Sequence, residues 1–319
     1  MEGLFLAVGA VIVTYNSAEV ILSCLDALAE MAPGVVATVV DNASSDQTLK
    51  SVGQRAGVKI VANQENRGFA GASNQGFRET EADQILLLNP DVRLKTSVVA
   101  LVEACQEHGL AAGQLTGLDG APQAGFTIRR LPTAASMSFE LLGLNWLWPG
   151  NRINRGYRYL DRDLNQGGSV EQPAGAFLMI RRDVWERLGG FDESFHPVWF
   201  EDVDFCRRAV DSGYRIQYVP QVRAEHTGGH SVKKLPALRM QEYWYDSLIR
   251  YAGKHFRPWQ YWGVCLAAVF GTVPRMVAGM IREKNFNPVV SYFKIMWFAG
   301  KRLVLRSPRT LQSGNHKKI

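Results

Sequence analysis

Cysteine is scarce in this 319-residue chain. Cys24, Cys105, Cys206 and Cys265 stand far apart and never form a C-x-x-C pair. That spacing speaks against a disulfide framework or a zinc knuckle, and a reducing compartment fits. Two phosphate-binding signatures are also missing. Gly68, Gly71 and Gly76 do not take the G-x-G-x-x-G spacing, and no G-x-x-x-x-G-K-[ST] occurs. Hydride transfer on a dinucleotide and P-loop hydrolysis of ATP therefore lose their main support. No apolar run reaches the roughly 18 residues that a membrane-spanning helix needs, and the nearest, 261–274, is closed by Arg275. There is no repeat of solenoid length. Residues 4–13 are apolar but follow Glu2 with no Lys or Arg ahead of them, and they run into Thr14-Tyr15-Asn16. They read as a buried first strand rather than a secretory leader.

Acid is nearly absent from one end of the chain. Residues 251–319 hold twelve Lys and Arg and only Glu283, a charge of +11, whereas 1–250 carry −5 and the whole chain +6. The positive charge is thus a C-terminal property, and a chain-wide nucleic-acid binder is not supported. A basic, aromatic tail suits anionic lipid, nucleic acid or a diphosphate. With 46% hydrophobic and 21% charged residues the chain can bury a sizeable core. Its length allows two domains, or one large one, at about 150 residues each.

Apolar, β-branched runs at 8–13, 35–40, 58–62 and 85–88 alternate with helical spacing at 18–31 and 98–107. A Gly- and Asn-rich loop, 66–76, leads into a further helix. Strands alternating with helices imply βαβ units and a mostly parallel sheet. Between 113 and 168 the pattern dissolves into Gly, Pro and aromatics. Order returns with a strand at 176–180, short helices at 184–188 and 203–212, and a strand at 216–219. Beyond about 236 the chain becomes helical, aromatic and basic. These readings place a first domain at 1–235, its halves meeting near 112, and a helical region at 236–319.

In an open parallel sheet, ligands gather at the carboxyl ends of the strands. Thr14-Tyr15-Asn16, Asp41-Asn42 and Asn89-Pro90-Asp91 all fall at such ends. Asp91 closes an apolar strand, and one carboxylate suffices for a Mg²⁺ or Mn²⁺ ion that takes its other oxygens from phosphates. Glu201, Asp202 and Asp204 crowd a helix start among Trp199, Phe200 and Phe205. Partial desolvation there raises a carboxylate's pKa and makes it a better base. His226 and His230 lie in a Gly-rich stretch beyond the last strand.

In order along the chain stand Val11-Ile12-Val13-Thr14-Tyr15-Asn16, Val40-Asp41-Asn42-Ala43-Ser44-Ser45-Asp46, Asn66-Arg67-Gly68-Phe69-Ala70, Leu87-Leu88-Asn89-Pro90-Asp91, Gly175-Ala176-Phe177, Gly190-Phe191-Asp192-Glu193 and Trp199-Phe200-Glu201-Asp202-Val203-Asp204. Over about 8–232 this set resembles the family 2 glycosyltransferases, and within them the bacterial rhamnosyltransferases. The resemblance implies a GT-A, Rossmann-like α/β fold. It implies that Thr14, Tyr15, Asn16, Asp41, Asn42, Asn66, Gly68 and Asn89 bind the donor. Asp91 matches the last acid of the family's Asp-x-Asp motif, whose first position is Asn89 here, and His226 matches a histidine that meets the metal or diphosphate. Asp202, beside Glu201, matches the catalytic base.

The expectation is an inverting, metal-dependent transferase. It would move L-rhamnose from a deoxythymidine-diphosphate donor to a glycan or a polyprenyl-diphosphate-linked saccharide in cell-envelope synthesis. Nucleic acid is not expected as a partner, and 251–319 would attach the protein to the inner face of the cell membrane. The competing expectations are a GT-A-like module that binds nucleotide without turnover, and a transferase that uses a uridine- or guanosine-diphosphate sugar.

Overall fold

The structure, a computed structural model, describes residues 7–228, 237–283 and 286–305. His230 lies outside them. The chain divides into two compact units, one of Met1–Leu131 with Gly156–Pro236, the other of Pro132–Arg155 with Ala237–Ile319.

The first unit is built on a mixed sheet. Its strands are β1 Val8–Thr14, β2 Val36–Asp41, β3 Val58–Ala62, β4 Gln84–Leu88, β5 Val92–Leu94, β6 Gly109–Thr116, β8 Gly168–Val170, β10 Phe177–Arg181 and β11 Arg215–His226. A separate two-stranded ribbon pairs β7 Ile128–Arg129 with β9 Gln172–Pro173. The order in the main sheet is β3-β2-β1-β4-β10-β6-β11-β5, with β8 added beside β11. β1 to β4 run parallel, and β10 enters antiparallel to both β4 and β6. Helices α1 Ile21–Met31, α2 Thr48–Val52, α3 Gly68–Glu79 and α4 Val99–His108 connect the strands. α8 Arg182–Leu188 and α9 Glu201–Asp211 complete this unit, while α5 Ala134–Leu141, α6 Leu144–Leu147 and most of α7 Arg152–Tyr157 belong to the second. Two apolar layers result, one on each sheet face. The near-continuous burial of β1, β2 and β4 is what a parallel sheet covered on both sides requires.

β6 escapes the hydrophobic pattern although all eight of its residues are buried. Its sequence is rich in Gly and Ala, residues of low strand propensity. Packing explains the choice at Gly113. A Cβ there would stand 2.2 Å from Cε1 of the Phe177 ring and 2.6 Å from the Val222 carbonyl oxygen. A larger residue at this point would push β10 or β11 out of register.

In the second unit, α5 opens with a reciprocal cap. Ser136 N–H donates to Thr133 Oγ1 at 3.1 Å, and Thr133 N–H to Ser136 Oγ at 2.9 Å. Three long helices follow: α10 Ala237–His255, α11 Pro258–Glu283 and α12 Asn287–Leu305. α11 corrects the sequence reading, because it does not stop at Pro274-Arg275. The Arg275 guanidinium turns onto α5, where it donates to the Leu141 and Glu140 carbonyls and satisfies two groups at that helix's C-terminus. With its one basic residue so engaged, the 258–281 stretch is long and apolar enough, by length and composition, to cross a membrane.

Candidate functional site

Three loops at the ends of β1, β2 and β3 lock together through their side chains. Buried Thr14 Oγ1 donates to Asp41 Oδ1 at 2.9 Å, and Ser44 donates to Asp41 through both its N–H and its hydroxyl. Asn16, in the left-handed region at φ 51°, accepts from Ser45 N–H at 2.8 Å. Tyr15, beside it in the chain, is half-buried. Asn42 spends its whole amide on the Gly-rich loop. Its Nδ2 donates to Asn66 Oδ1 at 2.8 Å and to the Gly68 carbonyl at 3.2 Å, and its Oδ1 accepts from Arg67 N–H at 2.9 Å. Gly68 has φ +73°, and a Cβ there would stand 2.6 Å from His196 Nδ1. That position therefore requires glycine. From Gly68 on, the stretch expected as a loop at 66–76 is already helix α3, and that helix is tied to 190–193 by Asn74, which exchanges two hydrogen bonds with the Phe191 backbone at 2.9 Å each.

Asp91 and His226 meet at the far edge of the sheet. β5 pairs antiparallel with β11, setting His226 opposite Val92 and so beside Asp91. The two side chains are almost sealed from solvent, 3% and 2% exposed, and His226 Nε2 stands 3.6 Å from Asp91 Oδ1. The imidazole tautomer is set by its neighbour. Gln123 Nε2 donates to the His226 carbonyl at 2.8 Å, which turns Gln123 Oε1 toward His226 Nδ1 at 3.0 Å. Nδ1 then carries a proton, and in the neutral ring Nε2 is the nitrogen left to ligate a cation beside the carboxylate. Two electron-pair donors converging at this distance fit a cation. Among the described residues no group of three or more His, Cys, Asp or Glu side chains could hold a metal ion. An ion here would take most of its ligands from a phosphate or water, the arrangement Mg²⁺ and Mn²⁺ favour.

The three acids of α9 have three environments. Asp204, fully buried, is bound by Arg208 Nε at 2.8 Å, and Arg208 continues to the Leu188 and Gly190 carbonyls. Glu201 is buried beside Asp202, and burial first, then that neighbouring charge, pushes its carboxyl well above the ordinary glutamate range. Asp202 accepts from Gly175 N–H at 2.9 Å and Val203 N–H at 2.8 Å. Burial raises its pKa too, opposed by the Gly175 N–H and the Arg129 charge. Trp199 and Phe200 precede the helix with φ 78° and 69°. Two consecutive left-handed non-glycine residues are costly, as backbone is at functional sites.

One short path joins the two acidic centres. Asn89 N–H donates to the Ala176 carbonyl at 3.0 Å, and the adjoining Gly175 N–H holds Asp202. Gly175 must be glycine, since a Cβ would lie 2.9 Å from Asp202 Cβ. Several participants carry no sequence signal. Gln123, Phe126 and Arg129 fall in the stretch without pattern, and Thr227 is a lone hydroxyl that donates to Asp91 Oδ2 at 3.3 Å. The Phe126 ring stacks on His226, centroids 5.0 Å apart, and the Arg129 guanidinium lies 5.6 Å from the same ring centre.

The profile described as "Glycosyltransferase like family 2" matches residues 7–244. The chain belongs to that family. Its relatives include the low-salt glycan biosynthesis hexosyltransferase Agl10 of Haloferax volcanii, 25% identical over 68% of this chain and 66% of its own length. The N-acetylglucosaminyl-diphospho-decaprenol L-rhamnosyltransferase of Mycobacterium tuberculosis is 27% identical over 69% of this chain. The chain thus spans about two thirds of the first relative and 75% of the second. Among solved structures, the Pyrobaculum calidifontis mannosyltransferase PcManGT, determined with GDP-Man and Mn²⁺, aligns over 94% of this chain and 87% of its own, with TM-score 0.51 and 17% identity. The fold is that of the GT-A glycosyltransferases, and within the family the sequence is rhamnosyltransferase-like.

The buried Glu201 carboxyl makes stability pH-dependent. Because its folded pKa is raised, the native state holds a proton that the unfolded chain releases, so its contribution falls as pH climbs above the ordinary glutamate value. Urea unfolding at pH 5 and pH 8 is expected to show Glu201→Gln gaining stability over wild type as pH rises. Parallel pH profiles for the two proteins would show that Glu201 is ionised in the fold.

Proposed function

We propose that this chain is an inverting glycosyltransferase that uses a divalent cation. It moves L-rhamnose from a deoxythymidine-diphosphate donor to a hydroxyl of a polyprenyl-diphosphate-linked saccharide. The observation that carries this reading is the Asn89–Ala176–Gly175–Asp202 connection, which sets a cation-binding pair and a desolvated carboxylate at one group of strand ends. Thr14, Tyr15, Asn16, Asp41, Asn42, Asn66, Gly68 and Asn89 form the donor side. Asn42 and Asn66 act there mainly by holding the loop, since their side chains bond within it. Asp91 and His226 would hold the cation, which when bound neutralises charge developing on the leaving diphosphate.

Asp202 accepts the proton of the acceptor hydroxyl as its oxygen bonds to the anomeric carbon. The carbon–phosphate oxygen bond breaks, and its electron pair leaves with the nucleoside diphosphate. Single displacement is favoured because no second carboxylate on α9 serves as nucleophile. Asp204 is committed to Arg208, and burial disfavours the ionised, nucleophilic form of Glu201. The mycobacterial relative's name includes a diphospho-decaprenol, which supports a lipid-linked acceptor here.

The second unit supports attachment to the inner face of the cell membrane. Trp259, Trp262, Leu266, Phe270, Val273, Val277 and Ile281 are exposed along α11 at intervals of three or four residues, a single helical face. Its other face, with Tyr261, Val264, Cys265 and Ala268, is buried within the unit. A helix packed on one side and apolar on the other suits the bilayer surface, with Trp at the headgroup level. The +11 charge of 251–319 adds about 1 kcal/mol per cationic residue near an anionic leaflet.

Asp202→Asn preserves shape but accepts no proton. Its turnover is expected to fall by about 10²–10⁴ while donor affinity changes little. Near-wild-type turnover would remove Asp202 from the base role. In sedimentation with liposomes, the full chain is expected to bind anionic vesicles at low salt and to be released as salt rises. Protein remaining in the supernatant with anionic vesicles would refute membrane attachment.

A further inference from the structure

Beside the base lies a set of polar groups that the proposed proton transfer does not use. The ribbon of β7 and β9 places Arg129 directly opposite Gln172. α9 packs against β9, and β9 leads within two residues to Gly175, which holds Asp202. In this small region three buried atoms have no hydrogen-bond partner among the described residues: Arg129 Nε, Gln172 Oε1 and Glu201 Oε2. Gln172 and Glu201 are 1% and 4% exposed. The Gln172 amide is fixed in orientation, because its Nε2 donates to the Pro173 carbonyl at 2.8 Å. Its Oε1 is therefore the atom left to accept.

Buried polar atoms without partners destabilise a fold, and their concentration at one place calls for a ligand. The set has the character of a sugar-binding subsite. Gln172 Oε1 accepts from a hydroxyl, a neutral Glu201 carboxyl can donate to or accept from one, and Arg129 supplies a directed cationic N–H. Arg129 also stacks on Phe126, whose ring stacks on His226, so a group held by Arg129 adjoins the cation-binding pair as well as the base. A phosphate joined to a sugar meets both requirements, since arginine suits phosphate recognition.

We propose that Arg129, Gln172 and Glu201 form the acceptor subsite. Gln172 and Glu201 bind ring hydroxyls of the accepting sugar, and Arg129 binds the phosphate attached to it. This assignment rests on the transferase reading. It makes Gln172 and Arg129 determinants of which acceptor is used, because a site built to bond a hydroxyl rejects an analogue that lacks it.

The test compares farnesyl-diphospho-N-acetylglucosamine with octyl N-acetylglucosaminide as acceptors, using thymidine-, uridine- and guanosine-diphosphate sugars as donors. Gln172→Met is expected to raise KM for both acceptors about tenfold, the effect of one lost hydrogen bond of about 1.4 kcal/mol. Arg129→Met is expected to raise KM for the diphosphate acceptor alone, to lower kcat with both acceptors because Asp202 loses a supporting charge, and, like Gln172→Met, to leave donor KM within about twofold of wild type. Wild-type protein supplies a readout independent of variant folding: at least one monodeoxy acceptor should lose about tenfold in kcat/KM. Equal use of all deoxy acceptors, or donor and acceptor KM rising in parallel in the variants, would overturn the subsite while leaving the transferase intact. No transfer by wild type from any donor to either acceptor would overturn the transferase reading and the subsite together.

Discussion

The antiparallel pairing of β5 with β11 is the constraint on which the site depends. β5 is only three residues long, yet it reverses direction against the sheet edge and so delivers Asp91 to His226. β11 can reach that point because it is twelve residues long and changes register between Val219 and Arg223. A bulge of this kind bends a strand and re-aims the residues beyond it. Here the residues beyond the bulge pair with the end of β6 on one side and with β5 on the other. The outer side of the pair is held by Glu225, which meets Lys95 at 3.1 Å and Arg93 at 3.7 Å. Those exposed ion pairs contribute at most about 1 kcal/mol each. The buried side is held by Val92 and Leu94 in the core and by Gln123 on the imidazole. Sequence-distant Asp91 and His226 are brought side by side because the backbone ladder leaves them little alternative.

Desolvation sorts the acids of α9 in the same spirit. Three carboxylates at one helix N-terminus gain from the helix dipole, yet they do not share a chemistry. Asp204 is neutralised by Arg208, a pair that also ties the helix to the end of α8. Glu201 has no ion-pair partner among the described residues, and burial pushes its carboxyl well above the ordinary glutamate range. Asp202 lies between these extremes, with two backbone N–H donors and the Arg129 charge countering part of its burial. A carboxyl that is raised but still supported in its ionised form is what general-base work near neutral pH requires.

Much of the first unit was legible in the sequence, because buried parallel strands are written as unbroken apolar runs. β1, β2 and β4 track those runs within one or two residues, and β3, an exposed edge strand, also lies where its β-branched residues placed it. Thr14, Asp41 and Asn42 stood out because polar residues at such strand ends have few other reasons to be there. β6 was not legible, since Gly113 and its alanine neighbours were selected by the space beneath Phe177 and not by propensity. Gln123, Phe126 and Arg129 were invisible for a different reason. They belong to loops and a two-residue strand, where no period operates and only tertiary contact with His226 gives them meaning. The length of α11 was underestimated because Arg275 looks like a terminus in sequence but serves the carbonyls of α5 in the fold.

The proposed cation site, in which Asp91 and His226 hold a divalent ion completed by the donor diphosphate, is the part of the account most open to direct measurement. Mn²⁺ binding can be read by electron paramagnetic resonance, with and without a nucleoside diphosphate, on wild type, Asp91→Asn and His226→Gln. Wild type should bind Mn²⁺ weakly alone and at least about tenfold more tightly with the diphosphate present, and both substitutions should remove that gain. Diphosphate-enhanced Mn²⁺ binding that survives unchanged in both variants would contradict the proposal and place the cation elsewhere.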